Sequence, residues 1–177
     1  MTLNTSRFKS RLDEFDSMKD LEHQDRSNWD KDLIKTGLYY LEFSTEQNEV
    51  SIYHILATIS AQHCTAPTFE STNWKSILSL YDMLIKIDKS PIVQLNRVIV
   101  LSKTTNPKTA LKHLNNIKDN PFFKTYLPYY TTQAVLHFQN DQAKIAIKHL
   151  NEALNLSLEK SNKAHIHNMI QKYSEKI

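Results

Sequence analysis

The stretch HQDRSNWDKD sets Asp25, Arg26 and Asp30 around a tryptophan, Trp29, so that two carboxylates and a guanidinium flank one indole. Such a set can form a polar binding site, or it can tether an irregular segment to a helix start with the indole anchored in the core. A second polar pair, Asn96 and Arg97, interrupts the most apolar stretch of the chain. An arginine drawn out of water there needs a carboxylate, and Asp25, Asp30 and Asp82 are the candidates. A structural ion-pair cluster and a polar groove facing a ligand or partner both fit these residues.

Other arrangements of reactive side chains carry less. His165 and His167 are separated by one residue and fall on different faces of a helix. His54 and His63 lie on mismatched faces of one predicted helix and cannot chelate alone. His63 and Cys64 are adjacent, so their side chains diverge, and no glycine-rich turn supplies an oxyanion hole. Cys64 reads as a small hydrophobe and His63 as a hydrogen-bonded residue at a helix end. Neither a phosphate loop nor a dinucleotide fingerprint occurs. No catalytic group, metal or cofactor is expected.

The elements that must position these residues are helical. Leu33, Ile34, Leu38 and Leu41 recur at helical spacing and predict a first helix over 28–43, with Ser27 or Asn28 as its cap and Asp30 and Asp32 at its positive end. That helix holds the single glycine, Gly37, which costs about 1 kcal/mol of helix propensity and marks a close approach by another element. Further helices are expected over 49–63, from Ser71 or Thr72 to 87, over 91–102, from Asn106-Pro107, from Asn120-Pro121, over 141–157 and over 161–174. Ser90-Pro91 is a strong helix start, with the cap before a proline whose missing N–H costs nothing. Pro128 either delays the sixth helix to about Leu127 or kinks it. MTLNTSRFKSR could form the last turns of a helix, with Leu3 and Phe8 inward and Arg7, Lys9 and Arg11 outward. Leu12, Phe15, Met18 and Leu21 then recur every third residue, and residues 1–22 as a whole read as an irregular or short extended connection.

Two helices echo each other. Ala110, Leu114 and Ile117 recur as Ala146, Leu150 and Ala153 at an offset close to the roughly 34-residue tetratricopeptide period. Alanine lets helices approach while the larger residue fills the groove beside it. The fold expected is all-α: stacked antiparallel helical hairpins in a tetratricopeptide-like, right-handed array of about eight helices. A single domain is expected over 1–177, with 1–27 as an N-terminal cap or irregular connection, helices one to four over 28–102, and helices five to eight over 106–177.

Composition agrees with this reading. One glycine and five prolines in 177 residues argue against a β-rich fold, whose tight turns draw on glycine. The net charge of +3 is dispersed along the chain and predicts no direct DNA binding. The lone cysteine excludes an internal disulfide, and neither a membrane span nor a secretory signal is evident, so a cytoplasmic protein is expected.

QDRSNWDKDLI (24–34), YHILATISAQHC (53–64) and TNWKSILSLYDMLIKIDKSPIVQLNRVIVL (72–101) together resemble the C-terminal extension of a subfamily of extracytoplasmic-function RNA polymerase sigma factors. The family's Asp-Arg pair and tryptophan fall on Asp25, Arg26 and Trp29, and its Tyr…His element on Tyr53 and His63. Its Trp and Leu-Tyr-Asp elements fall on Trp74, Leu80, Tyr81 and Asp82, and its Leu-Asn-Arg element on Leu95, Asn96 and Arg97. Asp16 stands where the family often has a glycine. The resemblance implies a tetratricopeptide-like regulatory domain without catalysis, contacting sigma factor regions or RNA polymerase. Its sigma regions would lie upstream of Met1, so a stand-alone, truncated or excised version is expected, unable to start transcription alone. A second copy could cover the N-terminal edge. A structural remnant with no retained partner and a small-ligand sensor are the alternatives.

Overall fold

A computed structural model describes residues 2–13, 17–45 and 50–177. The chain is all-α, and among the described residues extended pairing is limited to one isolated bridge between Leu12 and Met18. It divides into two compact units, Met1–Asp88 and Lys89–Ile177, at the Asp88-Lys89-Ser90-Pro91 punctuation.

In the first unit a short helix, α1 (Thr2–Thr5), is followed by 3₁₀ turns at Phe8–Ser10, Leu21–His23 and Arg26–Asn28, and then by α2 (Lys31–Thr45), α3 (Ile52–Thr65) and α4 (Trp74–Ile87). Helix α2 starts later than its apolar pattern predicts, and neither Ser27 nor Asn28 caps it. Asp30 does, its Oδ1 accepting from the N–H groups of Asp32 (3.1 Å) and Leu33 (3.0 Å). Ser27 and Asn28 are taken up by the preceding 3₁₀ turn, which Asp25 caps. Helix α3 opens with a reciprocal cap in which His54 replaces the usual glutamate: Ser51 Oγ accepts from His54 N–H, and His54 Nδ1 accepts from Ser51 N–H at 3.0 Å. Asn73 caps α4, just past the expected Ser71 or Thr72, by accepting from Ser76 N–H at 3.0 Å. The reading of Phe15 and Asp16, and the helix start expected at Glu49, lie outside the described residues.

The first core gathers Leu3, Trp29, Ile34 and Ala61, with Leu21, Leu38, Leu41 and Cys64 beside them. Leu3 points inward as its pattern suggests, but Phe8 is exposed and Arg7, expected outside, is half-buried. Gly37 is the contact that lets α1 lie on α2. A Cβ there would stand 2.6 Å from Leu3 Cγ and 2.9 Å from Thr2 Oγ1.

The second unit comprises α5 (Pro91–Thr104), α6 (Pro107–Asn115), a 3₁₀ segment at Pro121–Thr125, α7 (Leu127–Gln139), α8 (Ala143–Leu156) and α9 (Lys160–Ser174). Ser90 and Asn106 cap α5 and α6, each followed by proline in the first turn. Asn120-Pro121 opens only the 3₁₀ segment. The α-helix begins at Leu127, which places Pro128 in a first turn where its missing N–H breaks no bond. Each helix here packs on its sequence neighbour. The repeated alanines Ala110, Ala146 and Ala153 are fully buried, and Leu114 and Leu150 nearly or completely so. The α7–α8 turn is closed by Asp141 in the left-handed region (φ 56°), which a short polar side chain tolerates.

Gly37→Ala gains helix propensity but drives a methyl into Leu3, and overpacking of this kind costs about 1–3 kcal/mol. Denaturant unfolding is expected to show a net loss near 1 kcal/mol, and Leu3→Ala with Gly37→Ala should cost clearly less than the two changes summed. Strict additivity would show that α1 does not rest on Gly37.

Candidate interaction site

The polar residues around Trp29 are positioned by three chain segments: the 3₁₀ turn at Arg26–Asn28, the C-terminal end of α3, and the loop from α3 to α4. Arg26 joins them. Its Nη1 donates to the carbonyls of His63 (2.6 Å) and Ala66 (2.7 Å), and its Nη2 donates to Thr72 Oγ1 (3.2 Å). The last carbonyls of a helix have no intrahelical donor, and a cation there also meets the negative end of the helix dipole. The guanidinium lies 4.8 Å from the centroid of the Trp29 ring, a cation–π distance over a side chain that is only 3% exposed. Thr72, itself buried, passes the interaction on by donating to Thr68 O.

Asp25 does not pair with its neighbour. Its Oδ1 accepts from the N–H (2.9 Å) and hydroxyl (2.7 Å) of Ser27, and its Oδ2 accepts from Asn28 at 3.1 Å. The Ser27 hydroxyl first, then its N–H, hold the Asp25 carboxyl below the ordinary value. The backbone carbonyl of Asp25 accepts from Ser10 Oγ, and Asp30 N–H donates to Ser6 O, so the 3₁₀ turn and the α1 segment are bound together. Cys64 donates weakly to Leu3 O at 3.5 Å, and burial pushes its thiol up, away from the thiolate a nucleophile requires.

His63 packs edge-on against Trp74, ring centroids 5.3 Å apart, and Trp74 meets Phe69 at 4.9 Å. Burial first, then the positive charges of Arg7 and Arg26, push the His63 imidazole down to about 4. Arg7 lies 5.7 Å from the Trp29 centroid and donates from Nη2 to Asn4 Oδ1 at 3.0 Å.

Asp25, Arg26, Trp29, Asp30, His63 and Trp74 therefore lie in one connected region of the first unit. Tyr81 is buried and Asp82 half-buried further along α4. Asn96 and Arg97 are half-buried on α5, in the second unit. Tyr53 stands apart at 81% exposure near the start of α3. Two features escape the sequence pattern. Arg7 reaches Trp29 from a segment whose apolar pattern placed it outside. Tyr39, Tyr40 and Phe43 fall off the Leu33–Ile34–Leu38–Leu41 stripe of α2 and are 60–64% exposed, a departure that helical spacing could have disclosed. Among the described residues no group of three or more His, Cys, Asp or Glu side chains could hold a metal ion, and no helix is long and apolar enough to cross a membrane.

Residues 1–45, from α1 to the end of α2, match a family of unknown function (DUF6596). A protein of Rhizobium meliloti (strain 1021), described as uncharacterized, is 34% identical over 111 residues, which make up 63% of this chain and 26% of that protein. The chain thus spans about a quarter of the length of the relative it matches. No solved structure matches it.

Arg26→Ala removes a charged donor from three acceptors and is expected to cost about 2–4 kcal/mol in chemical denaturation. Lysine should restore less than half of that, lacking the fork that spans two carbonyls. Equal stability of the lysine variant and wild type would contradict the bidentate role. His63 has a separate pH signature. In the unfolded chain it takes up a proton near pH 6.5, but in the folded protein only near 4. Its contribution is present above pH 6.5 and is lost as pH falls toward 4, by about 3 kcal/mol in all. His63→Gln should flatten the stability profile across that window, and an unchanged slope would refute the assignment.

Proposed function

We propose that this chain is a non-catalytic, cytoplasmic protein-interaction module whose partner is of the class implied by its resemblance to sigma-factor C-terminal extensions: sigma factor regions or an RNA polymerase subunit. The observation that carries the proposal is the set of large side chains left in solvent by α2 and the start of α3. Tyr39, Tyr40 and Phe43 are 64, 62 and 60% exposed, and Val50 and Tyr53 are 67 and 81% exposed. Aromatic residues held at a surface on a helix are characteristic anchors of protein interfaces. By contrast, Arg26 spends its bonds on His63, Ala66 and Thr72 inside the fold, and the exposed Asp25 spends its carboxylate on the neighbouring Ser27 and Asn28. This favours a structural role for both and moves the contact surface onto the aromatic side chains. The match to a segment of a longer protein in Rhizobium supports a helical unit that works beside other domains.

The second reading is a structural remnant that retains no partner; it draws on the same intramolecular bonds of Arg26 and Asp25. Immobilised protein should capture a purified sigma factor or core polymerase. Tyr40→Ser with Phe43→Ser should weaken capture at least tenfold, while stability stays within about 0.5 kcal/mol because both sites are exposed. Capture of neither partner by wild type would leave the remnant reading. Self-association detected by sedimentation and lost in the same variant would replace the heterologous partner with a second copy.

A further inference from the structure

Four buried polar atoms of the first unit have no hydrogen-bond partner among the described residues: Gln24 Oε1 and, around Trp29, Arg7 Nε, Trp29 Nε1 and His63 Nδ1. Unmade hydrogen bonds of this kind are uncommon in a folded interior, and each calls for an explanation. The last three side chains form one cluster. Arg7 and Arg26 both lie over the Trp29 ring, Arg26 grips the His63 carbonyl, and both guanidinium groups act electrostatically on His63 and Cys64. The charge of Arg26 is answered by two helix-end carbonyls and Thr72. Among the described residues Arg7 is met by the neutral Asn4 amide and the indole face. Of the described carboxylates nearby, Asp25 is engaged on Ser27 and Asn28, Asp30 on the first amides of α2, and Glu70 is hydrogen-bonded to Thr68 and acts on Arg26. Among the described residues, one positive charge, an indole N–H that can only donate, and an imidazole nitrogen able to donate are thus left together with no acceptor bonded to them.

We propose that Arg7, Trp29 and His63 form a binding site for a single carboxylate group, supplied by a small free acid or by an acidic side chain of a protein. A monoanion matches the one unanswered charge. The Nε–H edge of a guanidinium suits a carboxylate oxygen, and its second oxygen can accept from the indole or imidazole N–H. Charge-assisted bonds of this sort are the strong ones in a partly dehydrated site. The inference is independent of the aromatic surface on α2, because it concerns different residues and is read without any protein partner.

The test uses the full chain in sodium formate against sodium chloride at equal ionic strength, and then in an acetylated, amidated Ala-Glu-Ala peptide. Thermal unfolding and the NMR signals of the indole N–H groups and His63 ring are followed. Formate should raise the melting temperature saturably, as a ligand of the native state does. It should also move the Trp29 indole N–H while leaving Trp74 in place, and raise the His63 pKa. Arg7→Gln should abolish these responses. If that variant does not fold, the contrast between the two indoles in wild type still decides. A response to formate as strong as that to peptide assigns the site to a free acid, and a response confined to the peptide assigns it to a protein side chain. No shift of Trp29 beyond that in chloride, with either probe, overturns the proposal.

Discussion

The first unit depends on one guanidinium held against the end of a helix. The described residues between 2 and 30 form short helical pieces, too short to hold themselves together in water. They need fixed points on the longer helices. Arg26 supplies one by bonding to His63, Ala66 and Thr72, and Trp29 beneath it supplies apolar burial at the same place. Around that point the chain is tied by Asp30 N–H to Ser6 O, by Ser10 Oγ to Asp25 O, and by Leu3 seated on Gly37. The arrangement answers two needs with one side chain: the carbonyls at the end of α3 gain donors, and an irregular segment gains an anchor.

The second unit relies on packing instead. Its buried alanines bring α6 and α8 against their neighbours, and Leu114, Leu150, Phe123, Leu136 and Ile166 fill the space between helices. Aromatic stacking of Phe138 on Tyr173, with centroids 3.7 Å apart, joins α7 to α9. Caps from Ser90 and Asn106 satisfy the first amides, so the helix starts need no long-range partner. Local rules suffice where each helix packs on its neighbour in the chain.

That difference explains what could be read from the sequence. Helices α3 to α6, α8 and α9 follow from apolar periodicity and from cap-proline pairs, because both signals are local, whereas the Asn120-Pro121 pair opens a 3₁₀ segment ahead of α7. The repeat of Ala110 and Leu114 in Ala146 and Leu150 reports buried positions correctly. The cap of α2 was less legible: Ser27, Asn28 and Asp30 are all competent, and Asp25 decides the matter by drawing the first two into a separate turn. Arg26 reads naturally as a partner for a carboxylate, whereas its acceptors are carbonyls far along the chain, which carry no side-chain signature. Arg7 was hidden for a similar reason, since its burial comes from Trp29 and not from any pattern around residue 7. Tyr39, Tyr40 and Phe43 teach the converse: large apolar residues on the solvent side of a clear helical stripe point to a surface, not to the core.

The most direct measurement is residue-resolved hydrogen exchange on wild type and Arg26→Lys under native conditions. If the guanidinium fork anchors the first unit, the Asp30 amide and the amides of Thr72 and Trp74 lose protection together, by roughly tenfold or more, while α7 and α8 keep theirs. Unchanged protection at Asp30, or an equal loss throughout both units, would contradict an anchor at the end of α3.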